Sequence, residues 1–525
     1  MPLQLFDLLD RGYFPRELPP PFTSAGFAQA VAGPSASVPA STFSSKQYYS
    51  ECCIHNLVRT GGLRRNLGIP NPKHFYRLAE HIVRNWADYK SHVDQSPFSL
   101  TKPVDSTADR AISPEHDLAE RTDHRARLRA RGRFLLRADI LRFFPSIYTH
   151  SIPWALMGKS AAKAAMSAGT LKGTWQDNAD MLSRSVNNNQ TIGIPIGPDT
   201  SRLLAEVILS HIDVSLADKF RRLDGIRYID DYEFIFAFRS EAEEVLGYLQ
   251  HLLNEFELAL NPSKTAIVEL PESLETPWTS HMRVFPFRDL ATVGQKHDLI
   301  AYFNKLFELL RQFPEEGVLK YAIARLRSED VHEDNWKFLE DILIHCVLVE
   351  PACIPQVCDQ VMYYKSHRYP IQKTRWSECL NRIVLERVPL GQSSEAAWAM
   401  WMMKLLKIKL LARSAKVIGE DSDSMVGLMA LGLADSGLAS KKHLKGLNRF
   451  ASATGLLEKH WLLCYQGNLM GWLGSTSKRA NLRGDSAFNF LESNSVSFFD
   501  ISVSPPTPIK HTANITTGGG GGGLY

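Results

Sequence analysis

Two adjacent acids at the tip of an otherwise apolar hairpin constrain this chain more than any other feature. Residues 226–236 read Ile-Arg-Tyr-Ile-Asp-Asp-Tyr-Glu-Phe-Ile-Phe. Apolar and aromatic residues flank Asp230 and Asp231 on both sides, which predicts strand, tight turn, strand. Two carboxylates held side by side repel each other, and a divalent cation between them removes that cost. Hard oxygen donors of this kind suit Mg²⁺, which is often held by one or two carboxylates together with substrate phosphates. Asp is also common in turns for purely local reasons. From this stretch alone, a plain surface turn explains the pair equally well.

A second acid changes the balance. In Phe134-Leu135-Leu136-Arg137-Ala138-Asp139 the residues alternate as on a strand, and Asp139 closes it just before an aromatic turn. Ser151-Ile152-Pro153 then reads as a helix start, with Pro tolerated in the first turn. One strand-end Asp and a hairpin Asp-Asp can converge on two metal ions. That is the arrangement for in-line phosphoryl transfer, one ion activating the attacking oxygen and the other stabilising the leaving oxygen.

Between these acids lies Gly193-Ile194-Pro195-Ile196-Gly197-Pro198, a loop that can be neither regular helix nor strand. The helix after it is well marked. Asp199 or Thr200 can cap it, and Leu204, Ile208, Ile212 and Leu216 form a stripe at i+4 spacing.

In chain order these elements resemble the palm motifs of a reverse transcriptase. Asp139 to Tyr148 resembles the first motif, Gly193 to Pro198 the second and Tyr228 to Asp231 the YxDD motif. Asn261-Pro262-Ser263-Lys264-Thr265 resembles the lysine-bearing motif that follows. The wording of residues 143–156, 193–201, 12–22 and 69–72 resembles the bacterial defence-associated (abortive-infection) branch, related to retron and group II intron enzymes. The polymerase resemblance covers roughly residues 50–290.

The resemblance implies an α+β fold, with a right-hand polymerase palm and fingers followed by an all-α, helical-repeat-like domain. It implies an RNA-directed or weakly templated DNA polymerase that uses deoxynucleoside triphosphates and two Mg²⁺ ions in antiphage defence. Asp139, Asp230 and Asp231 would be catalytic, and the backbone carbonyl of Ile140 would complete one metal site. Phe144 would be the sugar gate that rejects a 2′-OH. Tyr228 would face the primer end, Gly197 would lie in the substrate loop, and Lys102 and Arg110 would clamp the triphosphate. Lys264 would meet the leaving pyrophosphate, or be a turn lysine. Ile196 stands where related enzymes commonly carry Gln, so a polar contact near the nascent base pair is missing and short or untemplated products are compatible with the chain. The implied partners are an RNA template or dedicated noncoding RNA, a DNA product, further copies of the chain and a second polymerase subunit. The alternatives are a template-independent nucleotidyltransferase and a non-catalytic RNA-binding scaffold. The three acids argue against the scaffold.

Composition fits this class. A chain of 525 residues is too long for one ordinary core. Its net charge is only +4, so nucleic-acid binding has to come from local patches. The clearest patch is the run from Arg121 to Arg133. It places Arg125, Arg127, Arg129, Arg131 and Arg133 against phosphate, or else forms a solvated helix face. Seven cysteines lack metal-ligand spacing and read as reduced core thiols of a cytoplasmic protein. No apolar run approaches a membrane span.

Four segments follow. Residues 1–49 read as a Pro-rich arm whose stable contacts lie with a neighbour, and 50–295 as fingers and palm. Residues 296–500 read as an all-α domain with core tryptophans Trp398, Trp401, Trp461 and Trp472, and 501–525 as a flexible tail.

Overall fold

The structure is a computed structural model that describes residues 3–39, 41–43, 49–59, 62–288, 292–420, 423–452, 454–474 and 484–504. The glycine run Gly518–Gly523 and nearly all of the expected tail lie outside the described residues.

Among the described residues there are eight strands, numbered in chain order: β1 (Cys53–Val58), β2 (Arg64–Ile69), β3 (Pro103–Asp105), β4 (Ile112–Pro114), β5 (Phe134–Asp139), β6 (Asp224–Tyr228), β7 (Asp231–Phe236) and β8 (Ala266–Glu269). β1–β2 and β3–β4 are separate two-stranded hairpins, while the central sheet has the order β6-β7-β5-β8, antiparallel throughout. Alternation gives that sheet two different faces. Leu136, Ala138, Tyr232 and Phe234 are buried in the main core, with the helix Asp199–Lys219. On the other face Leu135 and Ile235 pack against Leu128 of the helix Arg121–Arg129.

The helix Asp199–Lys219 carries the expected stripe, with Leu204, Ile208, Ile212 and Leu216 all buried. Its start differs from expectation. Pro198 occupies the cap position without a side-chain cap bond. The Asp199 carboxylate is instead turned to Arg110 and to the Ile112 amide.

The described residues between 292 and 435 are mostly helical. The helices Thr292–Gln312, Val318–Arg325, Glu333–Val349, Ile354–Ser366, Lys373–Arg387, Ser393–Leu406, Ala412–Glu420 and Ser424–Asp435 each pack on the next but one in sequence. The result is two offset rows of helices. The boundary expected at residue 296 falls inside the first of them. Trp401 and Trp461 are fully buried, and Trp398 and Trp472 half-buried.

The arm expected at the N-terminus is instead part of the body. Leu8, Leu9, Tyr13, Phe14, Phe22 and Phe27 are buried, and Tyr13 stacks on Phe75 at 4.0 Å. Phe14 stacks on Phe498 at 5.9 Å, and Phe22 bridges to Phe499. The Pro/Ser-rich composition concealed these spaced aromatics, each of which buries a large apolar surface. The far end of the chain closes on the same place, with Trp461 Nε1 donating to the Ile69 carbonyl at 3.1 Å. A continuous apolar core therefore runs from Leu3 to Ile501. All seven cysteines are buried and unpaired. Among the described residues no helix is long and apolar enough to cross a membrane.

Candidate active site at the acidic hairpin

β6 and β7 are joined by Ile229 and Asp230, and Tyr228 pairs with Asp231 across the turn. On the other side of β7, Asp231 pairs in register with Asp139 at the end of β5. Directly opposed residues of an antiparallel pair share a face, and like charges there are destabilising. Three carboxylates thus meet at one edge of the sheet. The turn adds backbone strain. Ile229 has φ +56°, a left-handed conformation that a β-branched residue rarely adopts. Its amide donates to Thr101 Oγ1 at 3.1 Å, and its carbonyl accepts from Arg227 Nη1 at 2.9 Å.

The electrostatics follow from this crowding. Burial, then the charges of Asp231 and Asp139, push the Asp230 carboxyl up to about 7. Burial also raises Asp231; the guanidinium of Arg121 opposes the rise and Asp139 adds to it. Asp139 receives Asn261 Nδ2 at 2.8 Å and Lys264 Nζ at 2.9 Å. Arg121 stands 3.2 Å from Asp231 and 3.3 Å from Glu233, with its guanidinium 5.2 Å from the centre of the Tyr228 ring.

Beneath the hairpin lies a buried ionic network. The fully buried Arg227 donates to Glu206 at 2.7 Å and to Asp213 at 2.7 Å. Burial alone would lower the guanidinium's pKa, but Asp213 and Glu206 outweigh it and hold the group charged. Tyr232 donates to Asp213 at 2.9 Å, and Ser96 and Ser99 donate to Asp213 and Glu206. Thr101 reaches Glu206 at 3.4 Å while also holding Ile229. The turn is therefore anchored to the helix Asp199–Lys219 through charge.

The other expected site residues divide into two groups. Lys264 and Tyr228 lie at the acids. Ile140 follows Asp139 and bridges to Leu260. Lys102 is half-buried next to Thr101, in a segment that runs along β6 through the Leu100–Arg227 bond. Phe144 is buried against Phe143, and its carbonyl accepts the Ile194 amide at 3.1 Å. Arg110 requires correction. It is buried, ion-paired with Asp199, and donates to the carbonyls of Phe14 at 2.7 Å and Gly197 at 2.8 Å. It fastens the N-terminal segment to the Gly/Pro loop, and its donors are spent there. Gly197 belongs to that junction too. Its φ is +128°, and a Cβ would come within 2.6 Å of Pro15 Cγ.

The arginine run also requires correction. Arg125 and Arg129 face the buried Glu233, and Arg129 donates to the carbonyls of Glu272 and Ser273. Arg131 pairs with Asp224 and Arg133 with Glu269, whereas Arg127 is exposed. Most of this charge therefore holds the helix to the sheet. Sequence reasoning missed Arg121, Glu233, Asn261 and Arg227 as site residues. A signal for the first two was present. Arg121, Arg125 and Arg129 share a helix face at i+4 spacing, and Asp231 and Glu233 share a strand face.

Beyond Asp139 opens a groove of about 930 Å³, lined by Leu141, Arg142, Tyr148, Trp154, Lys163 and Ile192 among others. The ammonium groups of Lys159 and Lys163 lie 4.7 and 5.5 Å from the centre of the Trp154 ring.

No protein-family model matches the chain, and no curated protein matches it significantly. Among solved structures it is similar to apo telomerase from Candida tropicalis, at 12% identity and TM-score 0.32, over 70% of this chain and 67% of that one. It is similar also to telomerase from Candida albicans in complex with the TWJ fragment of telomeric RNA, at 12% identity and TM-score 0.29, over 69% of this chain and 65% of that one. Telomerase from Candida tropicalis with the same kind of fragment gives 11% identity and TM-score 0.28, over 70% and 62%. The chain thus spans about two thirds of the length of these telomerases.

Proposed function

We propose that the chain is a nucleotidyltransferase of the reverse-transcriptase kind, an RNA-directed or weakly templated DNA polymerase acting in antiphage defence. The observation that carries this reading is the convergence of Asp139, Asp230 and Asp231, with Asp230 pushed up to about 7 by burial and then by the other two acids. A site that crowds three carboxylates is short of positive charge, and its all-oxygen donor set fits Mg²⁺. Asp139 and Asp230, assisted by Asp231 and the Ile140 carbonyl, would hold it. Bound there, two Mg²⁺ ions would supply activation of a 3′ hydroxyl and charge stabilisation for the departing pyrophosphate.

The chain's own residues have distinct tasks. Lys264 neutralises Asp139 at rest at 2.9 Å and is free to turn to a phosphate when a cation replaces it. Arg121 keeps Asp231 oriented from the opposite side. Arg227 and Thr101 fix the strained turn, so the acids are set before substrate arrives. Phe144 gives the sugar pocket a rigid wall, which favours deoxynucleotides. The groove beside Asp139, with Trp154, Tyr148 and lysines, has the aromatic and basic lining that a single nucleic-acid strand uses. The defence role rests on the sequence resemblance.

The test is purification of the protein, sequencing of the RNA and DNA that accompany it, and incorporation of labelled dNTPs with and without EDTA. Mg²⁺-dependent DNA synthesis, lost in Asp139→Asn and Asp230→Asn proteins that stay folded, is expected. Full incorporation by folded Asp230→Asn protein would overturn the assignment.

A further inference from the structure

Around Arg121 the chain gathers a second cluster of metal-binding groups, of different chemistry from the acidic hairpin. His116, Glu120 and His124 follow one another at i+4 spacing, and their ligand atoms all lie within 4.8 Å of one another. His116 Nδ1 is 2.8 Å from Glu120 Oε2, and the two imidazole rings meet edge to face with centroids 4.6 Å apart. We propose that these three residues form a site for a borderline divalent metal ion of the Zn²⁺ class, separate from the Mg²⁺ site proposed for the three aspartates.

Donor type selects the metal. Two imidazoles and one carboxylate suit Zn²⁺ and its neighbours in the transition series, whereas Mg²⁺ and Ca²⁺ prefer oxygen ligands throughout. Ligand atoms on a tetrahedral Zn²⁺ lie roughly 3.3 Å apart, given metal–ligand bonds of about 2.0 Å. Glu120 is exposed and both histidines are half-exposed, so closing from the present separations needs only side-chain rotation. Three protein ligands leave a position for water.

The backbone around the cluster is already fixed. The Asp117 carboxylate accepts the amides of Ala119 at 2.8 Å and Glu120 at 3.1 Å. The His124 amide donates to the Glu120 carbonyl at 3.1 Å, which places the two side chains one helical turn apart. An isolated His–Glu pair would need only one imidazole. The second ring, brought to the same carboxylate, makes a ligand set.

The position gives the site a role. The His116 amide donates to the Leu100 carbonyl and the Glu115 amide to that of Lys102. On the other side Glu120 is followed by Arg121, which reaches Asp231 and Tyr228. An ion bound here staples the Lys102 segment to the helix that carries Arg121, and so braces the hairpin from outside.

The experiment titrates metal-stripped full-length protein with ZnCl₂ and, separately, with CoCl₂, in the Asp230→Asn background so that the acidic hairpin contributes little. One bound Zn²⁺ and a visible Co²⁺ absorption band are expected, neither displaced by millimolar Mg²⁺. Glu120→Gln should weaken binding at least about tenfold, and His116→Ala with His124→Ala should abolish it. Undiminished Zn²⁺ binding in the double variant, displacement by Mg²⁺, or no Zn²⁺ binding by the parent would each overturn the proposal. The readout is metal binding rather than nucleotide incorporation, so failure here leaves the polymerase reading untouched, and the reverse also holds.

Discussion

Asp230→Asn should have two opposite effects, and the structure sets the size of each. Burial and its acidic neighbours push the carboxyl from its ordinary value near 4 up to about 7. In the folded, metal-free protein it holds a proton across a window from about pH 4 to 7 in which the unfolded chain has lost it. Stability therefore falls as pH rises through that window, and the whole penalty is present above it. At 1.36 kcal/mol per unit the ceiling is about 4 kcal/mol. Solvent screening at this partly exposed edge reduces it to about 1–3 kcal/mol. Asn cannot ionise and escapes the penalty. In EDTA at pH 8 the variant should be the more stable protein by that amount, and the gap should shrink toward pH 5. With Mg²⁺ the order should narrow or invert, because only the parent gains binding energy. Catalysis should move the other way, with incorporation falling by at least about a thousandfold through loss of charge stabilisation. Urea unfolding at the two pH values, with and without Mg²⁺, gives the first quantity, and primer extension gives the second. A variant less stable than the parent in EDTA at pH 8, or a gap independent of pH, would refute the crowding argument.

Four further outcomes are expected. Phe144→Ala should cost about 3–5 kcal/mol as a core truncation and, in the protein that remains folded, raise ribonucleotide over deoxynucleotide use; an unchanged ratio places the gate elsewhere. Arg110→Ala should lower the unfolding midpoint by the equivalent of about 3–5 kcal/mol, since it leaves Asp199 buried without its partner, while the KM for dNTPs in folded protein stays near the parent's. Arg227→Met should destabilise by a similar amount for the same reason, and pairing it with Glu206→Gln and Asp213→Asn should recover most of the loss in a melting assay. Truncation after Leu310 should yield protein without a cooperative transition in calorimetry, because it removes Trp461 and Phe498 from the core around Ile69 and Tyr13.

What could be read in advance was what is local. The hairpin, the strand ending at Asp139 and the helix Asp199–Lys219 are written in neighbouring residues, as alternation, turn chemistry and i+4 stripes. The fate of charged residues is not local. Arg110 was available for a phosphate until Asp199, 89 positions away, was folded against it. Arg125 and Arg129 read as free cations because their partner, Glu233, lies on a strand over a hundred residues later. The N-terminal aromatics were hidden for a similar reason. Pro and Ser between them suppress any periodic signal, and their partners Phe498 and Phe499 stand at the other end of the chain.

These long-range contacts and the local strain belong to one argument. Ile229 in a left-handed turn costs about 1–3 kcal/mol, and opposed Asp139 and Asp231 add repulsion. A two-stranded hairpin alone could not hold such a turn, being marginal in water even when relaxed. The turn persists because Arg227 and Thr101 grip Ile229 from both sides. They in turn are fixed by Glu206 and Asp213, on a helix whose start is locked by Asp199 to Arg110 and so to Gly12 and Phe14. That N-terminal segment is held by Phe498, far beyond the helical array in the chain. The acids are thus kept close by a chain of buried contacts that reaches both ends of the protein. A cation arriving between them meets acids already held in place, and only the exposed Lys264 has to leave Asp139.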